Sequence, residues 1–174
     1  MATSARKIGT DPIIKWGLSL LLLAAPAAWG FDANGVALGA SEAEVRKAFP
    51  EANCKAMDWK TDAADRRCDK APVQFGGAEA RISFYLRKDA VQAFDVRFEE
   101  KDLRGVVDYL RKRYGKPEAE GRETFQRRGD AREIYRVRWQ KGEDRAVLSA
   151  MAGRRRVDLN VWRGKFDTEV YRIE

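Results

Sequence analysis

Glu79-Ala-Arg-Ile-Ser-Phe-Tyr-Leu-Arg-Lys-Asp-Ala-Val-Gln-Ala-Phe-Asp-Val-Arg-Phe98 is where the apolar pattern of the chain takes a period of two. Ala80, Ile82, Phe84 and Leu86 fall on one side of an extended backbone, with Arg81, Ser83, Tyr85 and Arg87 on the other. That alternation marks a strand buried on one face. Arg87-Lys88-Asp89 supplies a turn, and Phe94, Val96 and Phe98 carry the apolar side back. The stretch predicts an antiparallel hairpin. Val73 to Phe75, just ahead of it, reads as an added edge.

Upstream, Ser41-Glu-Ala-Glu44 has the spacing of a capping box, in which the serine oxygen and the glutamate carboxylate satisfy free amides at a helix start. Val45, Ala48 and Phe49 form one apolar stripe, and Pro50 stops the helix. Downstream, Asp102 is placed to cap a second helix. Its stripe is Leu103, Val106, Val107, Leu110 and Tyr114, and it ends at Gly115 with Pro117 beyond. Alternation then returns three times, at Tyr135/Val137/Trp139, Ala146/Leu148/Ala150 and Val157/Leu159/Val161, which predicts a meander. The tail from Phe166 to Ile173 is open between a strand and a helical turn. An antiparallel sheet with one apolar face needs a cover, and two amphipathic helices provide it. The expected fold is α+β, two short helices packed on an antiparallel sheet. Residues 31–174 form one domain, with a helix-then-strands pseudo-repeat over halves 31–99 and 100–174.

Residues 1–30 read as a signal peptide. Arg6, Lys7 and Lys15 form the basic region, Leu18 to Ala25 the apolar one, and Ala28-Trp29-Gly30 or Ala25-Pro26-Ala27 the small-residue site, with cleavage expected after Gly30. The apolar run is shorter than the ~20 residues that cross a bilayer. No cysteine follows the small residues to take a lipid. The expected location is periplasmic or secreted, without stable membrane insertion after cleavage. The chain carries 34 Lys and Arg against 27 Asp and Glu. The leader holds three of the bases and one of the acids, which leaves the remainder at +5. Because the two signs are interspersed, this describes a mixed, solvated surface, and nucleic acid is not an expected partner. Arg111-Lys112-Arg113 and Arg154-Arg155-Arg156 are the runs that would meet anionic envelope material.

Cys54 and Cys68 are an even pair in an oxidising compartment and are expected to form one structural disulfide. They lack the Cys-x-x-Cys spacing of a thiol oxidoreductase. The loop between them also holds Met57 and Trp59, which either tuck beneath it or stand exposed to a partner. Two sulfurs in a chain without histidine cannot complete a zinc site. Asp58, Asp62, Asp65 and Asp69 lack the glycine and terminal glutamate of a calcium loop. No metal or cofactor is expected.

The absence of histidine removes the usual Ser-His-Asp and Cys-His arrangements, and no Ser-x-x-Lys follows the leader. Glu99-Glu100 and Asp62 with Asp65 lie in strongly charged segments, where burial does not tune a carboxylate for acid/base work. Gly39 and Gly76-Gly77 read as turns rather than phosphate cradles. Arg136 and Arg138 fall opposite Tyr135, Val137 and Trp139, which makes a basic stripe on the water side of a strand. That stripe is either an ordinary solvent face or a positive surface for an acidic protein or envelope anion.

Gly35-Val-Ala-Leu-Gly39-Ala-Ser41-Glu-Ala-Glu-Val45, leading through Phe49-Pro50 to Cys54, resembles the start of many small exported bacterial proteins of unassigned function. Tyr114-Gly-Lys-Pro117 before a Trp-containing strand resembles them too. The order of elements is similar to the module of the β-lactamase inhibitor protein and of the small lipoprotein of the outer-membrane β-barrel assembly machine. That resemblance implies an α+β fold whose sheet face or loops bind another protein, and it transfers no binding residue. The expected function is noncatalytic, a protein-binding or adaptor role in the cell envelope. Trp59, Arg136 and Arg138 are the candidate binding surface. Inhibition of a secreted or periplasmic hydrolase is one alternative, and a carboxylate-dependent envelope enzyme is another.

Overall fold

The alternating stretch folds as the hairpin it predicts, and the sheet around it is far larger than the sequence suggests. The computed structural model describes residues 1, 30–58, 61–127 and 130–166. The expected leader and its cleavage junction, apart from Met1 and Gly30, together with Trp59 and the tail from residue 167 onward, lie outside the described residues. A two-stranded ribbon, β1 (Asp32–Ala33) and β2 (Val36–Ala37), precedes helix α1 (Glu42–Ala48). Strands β3 (Asn53–Ala56), β4 (Arg66–Phe75), β5 (Ala78–Arg87) and β6 (Ala90–Glu99) follow. After a 3-10 turn at Glu100–Asp102 come helix α2 (Leu103–Tyr114) and strands β7 (Ala119–Arg127), β8 (Asp130–Lys141), β9 (Asp144–Met151) and β10 (Arg156–Arg163).

The eight long-sheet strands are ordered β3-β4-β5-β6-β10-β9-β8-β7, and all neighbours are antiparallel. Helix α1 precedes one four-strand meander and α2 the other. The two meanders join where β6 pairs with β10, Phe98 opposite Val157 and Val96 opposite Leu159.

This corrects the expected class. Strands take up more than half of the described residues, and the fold is β-rich, not a balanced α+β. Three polar strands account for the shortfall. β7 is exposed along its length wherever its side chains are described, so it shows no alternation. The disulfide loop is in fact a hairpin, with Cys54 directly opposite Cys68 in the β3–β4 pair. Val73 to Phe75 belongs to β4, an internal strand whose register against β5 shifts between Lys70 and Val73, at Pro72. The edge is β3 instead.

Both helices cover the same sheet face. In α1 the capping box is present as predicted, with the Ser41 side chain and the Glu44 carboxylate each bonded to the other residue's backbone N–H. Phe49 at its end packs on Phe84 of β5, ring centroids 5.5 Å apart. The side chain of Asp102 makes no capping bond to α2, contrary to expectation, because the 3-10 turn already winds the chain into the helix. Val106, Val107, Leu110 and Tyr114 are buried as the stripe required. Tyr114 meets Phe31 and Trp139, and its hydroxyl donates to the Asp32 carbonyl at 2.7 Å. Ile82, Phe84, Leu86, Phe94, Val96, Leu148 and Leu159 complete one core beneath the helices.

Candidate functional site

The sheet face away from the helices is set by the same alternation that builds the core. Since Ile82 and Phe84 point inward, Arg81, Ser83 and Tyr85 point out. On β6 the outward set is Ala93, Asp95 and Arg97, on β10 Asp158, Asn160 and Trp162, and on β8 Arg136 and Arg138. Cross-strand register aligns these into rows, and one row runs Arg81, Arg97, Asp158, Ser149, Arg136 over five neighbouring strands.

One end of this face is closed. Ala63, Ala64, Ala93, Trp162 and Phe166 form a second, smaller cluster, with Met57, Tyr85 and Val147 against it. Met57 is therefore tucked in. Among the described residues no helix packs on this side, and the segment around Ala63 together with Phe166 shields it instead.

The other end is open and indented. Hollows of about 420, 630 and 250 Å³ lie side by side and share Arg97 in their linings. Arg97 donates from Nε to Asp158 at 2.6 Å, a bond that raises its pKa and holds it charged. In the smallest hollow, Asp69 accepts from Ser83 and Arg67, and Asp95 accepts from the Tyr85 hydroxyl at 3.1 Å. Burial, reinforced by the Asp95 charge, pushes the Tyr85 phenol far above its ordinary value, so it stays a donor.

Arg136 and Arg138 both reach Glu123 on β7, at 2.6 and 2.5 Å. The predicted stripe thus exists on the water side, with one carboxylate bridging its two guanidinium groups. Cys54 and Cys68 are disulfide-bonded. Glu42 lies close enough to both sulfurs to make a three-donor group, but its carboxylate is taken by Arg46 and Arg66, whose hydrogen bonds hold it below the usual range. With the sulfurs joined to each other, no thiolate is there for a metal. Glu99 is drawn below the ordinary carboxylate range by Lys101, and Asp65 accepts the Lys88 amide. The structure therefore leaves Glu99 and Asp65 as paired surface groups.

Sequence reasoning missed Arg81, Arg97 and Asp158. The alternation placed Arg81 on the outward face, and the same rule extended to β6 and β10 would have added Arg97 and Asp158. Their mutual contact rests on a pairing across 61 positions that no local signal marks.

Among the described residues no helix is long and apolar enough to cross a membrane. No family model matches the chain, and no curated protein matches it. A distant structural neighbour is the crystal structure of a DUF4309 family protein (YjgB) from Bacillus subtilis subsp. subtilis str. 168, at 15% identity and a TM-score of 0.37. The match covers 71% of this chain and 78% of that one, and at this distance it carries no argument about function.

Proposed function

We propose that this is a noncatalytic, exported protein that binds another envelope protein through the helix-free face of its sheet. The observation that carries the reading is the indented, charged open end of that face. Its Arg97 is held in place by the cross-strand bond to Asp158, and farther along the same face Arg136 is held by Glu123. Side chains fixed in this way lose little freedom when a partner arrives. The order of a helix followed by four strands, twice over, is similar to the β-lactamase inhibitor protein and the assembly-machine lipoprotein module. That likeness supports reading the sheet face as the recognition surface. The Cys54–Cys68 disulfide fits an oxidising compartment, in keeping with cleavage of the leader after Gly30. The paired state of Glu99 and Asp65 supports a binding rather than a catalytic role.

The test is affinity capture from envelope extract with the wild-type chain, the double variant Arg136→Glu/Arg138→Glu, and Arg104→Glu on the helical side as a control. The expected result is one stoichiometric partner, retained by the control and lost by the double variant while thermal unfolding shows that variant folded. A partner held equally by all three would move recognition off this face. Capture of nothing by any of them would end the reading.

A further inference from the structure

Arg81 and Arg97 stand directly opposite each other on β5 and β6, and like charges in that relation repel. Asp158 is bonded to Arg97, whereas Arg81 has no ion pair among the described residues. The neighbouring β9–β10 turn adds Arg154 and Arg155, and the first residue of β10 adds Arg156, all exposed and likewise without an ion pair among the described residues. Arg97 and Arg156 line both of the larger adjoining hollows. Arg81 belongs to the 420 Å³ one, and Arg154 and Arg155 to the 630 Å³ one. Three carboxylates line these two hollows against five arginines, Glu79, Glu99 and Asp158, of which Glu99 is held by Lys101 and Asp158 by Arg97, while Asp69 and Asp95 of the adjoining smallest hollow are engaged by Arg67, Ser83 and Tyr85. Cation is in excess at this spot, although the surface as a whole is mixed.

We infer that the joined hollows around Arg97 and Arg156 form a binding site for a phosphate-bearing ligand. Guanidinium groups offer paired N–H donors that match phosphate oxygens, and several around one hollow neutralise a doubly charged group. The larger hollow also has Ile134 and Met151 in its lining, a small apolar floor suited to the carbon skeleton that carries the phosphate. A bound phosphate would lie across the Arg81/Arg97 contact and turn its repulsion into shared attraction. The inference deepens the proposal above, since it rests on the same face being the recognition surface. It names the chemistry at one end of that face, apart from Arg136 and Arg138.

Two sources present this chemistry, a soluble phosphate compound and a lipid headgroup. The purified protein is titrated calorimetrically with inorganic phosphate and pyrophosphate. It is also sedimented with phosphatidylcholine vesicles with and without phosphatidylglycerol. The variants are Arg156→Gln and the triple variant Arg154→Gln/Arg155→Gln/Arg156→Gln, with Arg104→Gln as a control outside these hollows and thermal unfolding to confirm folding. Saturable pyrophosphate binding that weakens tenfold or more in the triple variant, and not in the control, supports the site with a soluble ligand. Co-sedimentation only with phosphatidylglycerol, lost in the triple variant, supports it with a headgroup. Absence of saturable binding to either probe, or binding unchanged by the triple substitution, overturns it. Neither readout uses a protein partner, so failure here and failure of the capture experiment are distinguishable.

Discussion

Asp32 receives the guanidinium of Arg113 edge-on, with Nε at 3.0 and 2.9 Å from its two oxygens and Nη2 at 2.6 Å. The carboxylate is only 4% exposed, and it also accepts the Gly35 amide at 2.9 Å, which closes the β1–β2 turn. One buried charge thus ties the first ribbon to the last turn of α2. Asp32→Asn removes the buried charge that Arg113 and the Gly35 amide bind and is expected to cost about 2 kcal/mol in urea unfolding. That is less than a fully buried pair, because Arg113 can still reach water. Adding Arg113→Met should recover part of the loss, and a double-variant cycle without such coupling would disprove the account.

The disulfide staples the outermost strand, β3, to β4. β3 is four residues long and mostly exposed, so little burial holds it. Reduction, or Cys54→Ala/Cys68→Ala, should lower stability by about 3 kcal/mol through the freed loop entropy. Amide exchange should rise most in Asn53–Ala56, with β5 and β6 still protected. A uniform rise across the sheet would show that β3 is integral to the core instead.

What could be read from the sequence depended on burial. Ile82, Phe84, Val96, Leu148 and Leu159 lie on strands with one wet and one dry face, and there alternation betrays both the strand and its orientation. Ser41 with Glu44 marked the start of the first helix by capping chemistry, and the Val45/Ala48/Phe49 stripe its apolar side. The segment Ala119-Glu-Gly-Arg-Glu-Thr-Phe-Gln-Arg127 gave nothing, since an exposed edge strand selects for solubility rather than for a period. Overlooking it and β3–β4 is what tilted the expected class toward α+β. For the site, Arg136 and Arg138 were legible because their neighbours Tyr135, Val137 and Trp139 point the other way. The Arg97–Asp158 contact was not, because it depends on which two strands become neighbours at the junction of the meanders, and that is decided by the whole sheet.

Gly76 sits at φ +59°, and a Cβ built there would stand 2.9 Å from Cδ1 of Tyr109. Tyr109 packs edge-on against Phe75, centroids 5.4 Å apart, so the ring has little room to retreat. Gly76→Ala combines a left-handed backbone cost with a steric push on α2 and should destabilise by about 2 kcal/mol. The neighbouring Gly77→Ala meets no atom within 4 Å and should show the backbone cost alone, about 1 kcal/mol. Equal losses at the two positions would rule out the contact with Tyr109 as the cause.

Tyr135 donates to Glu120, which also receives two bonds from Arg111 of α2, so this group clamps edge strand β7 to the helix. Burial, and then the bond to Glu120, push the Tyr135 hydroxyl up to about 12. An unfolded tyrosine titrates near 10. The contribution is therefore complete below about pH 10 and is lost as pH rises towards about 12, because the unfolded chain releases the proton first. Tyr135→Phe should lower stability by about 1 kcal/mol at neutral pH and flatten the fall in urea midpoint between about pH 10 and pH 12. Glu120→Gln should leave an alkaline fall that is smaller than wild type, because burial of the phenol persists without the carboxylate. If Tyr135→Phe keeps the full wild-type alkaline slope, the clamp is not what titrates.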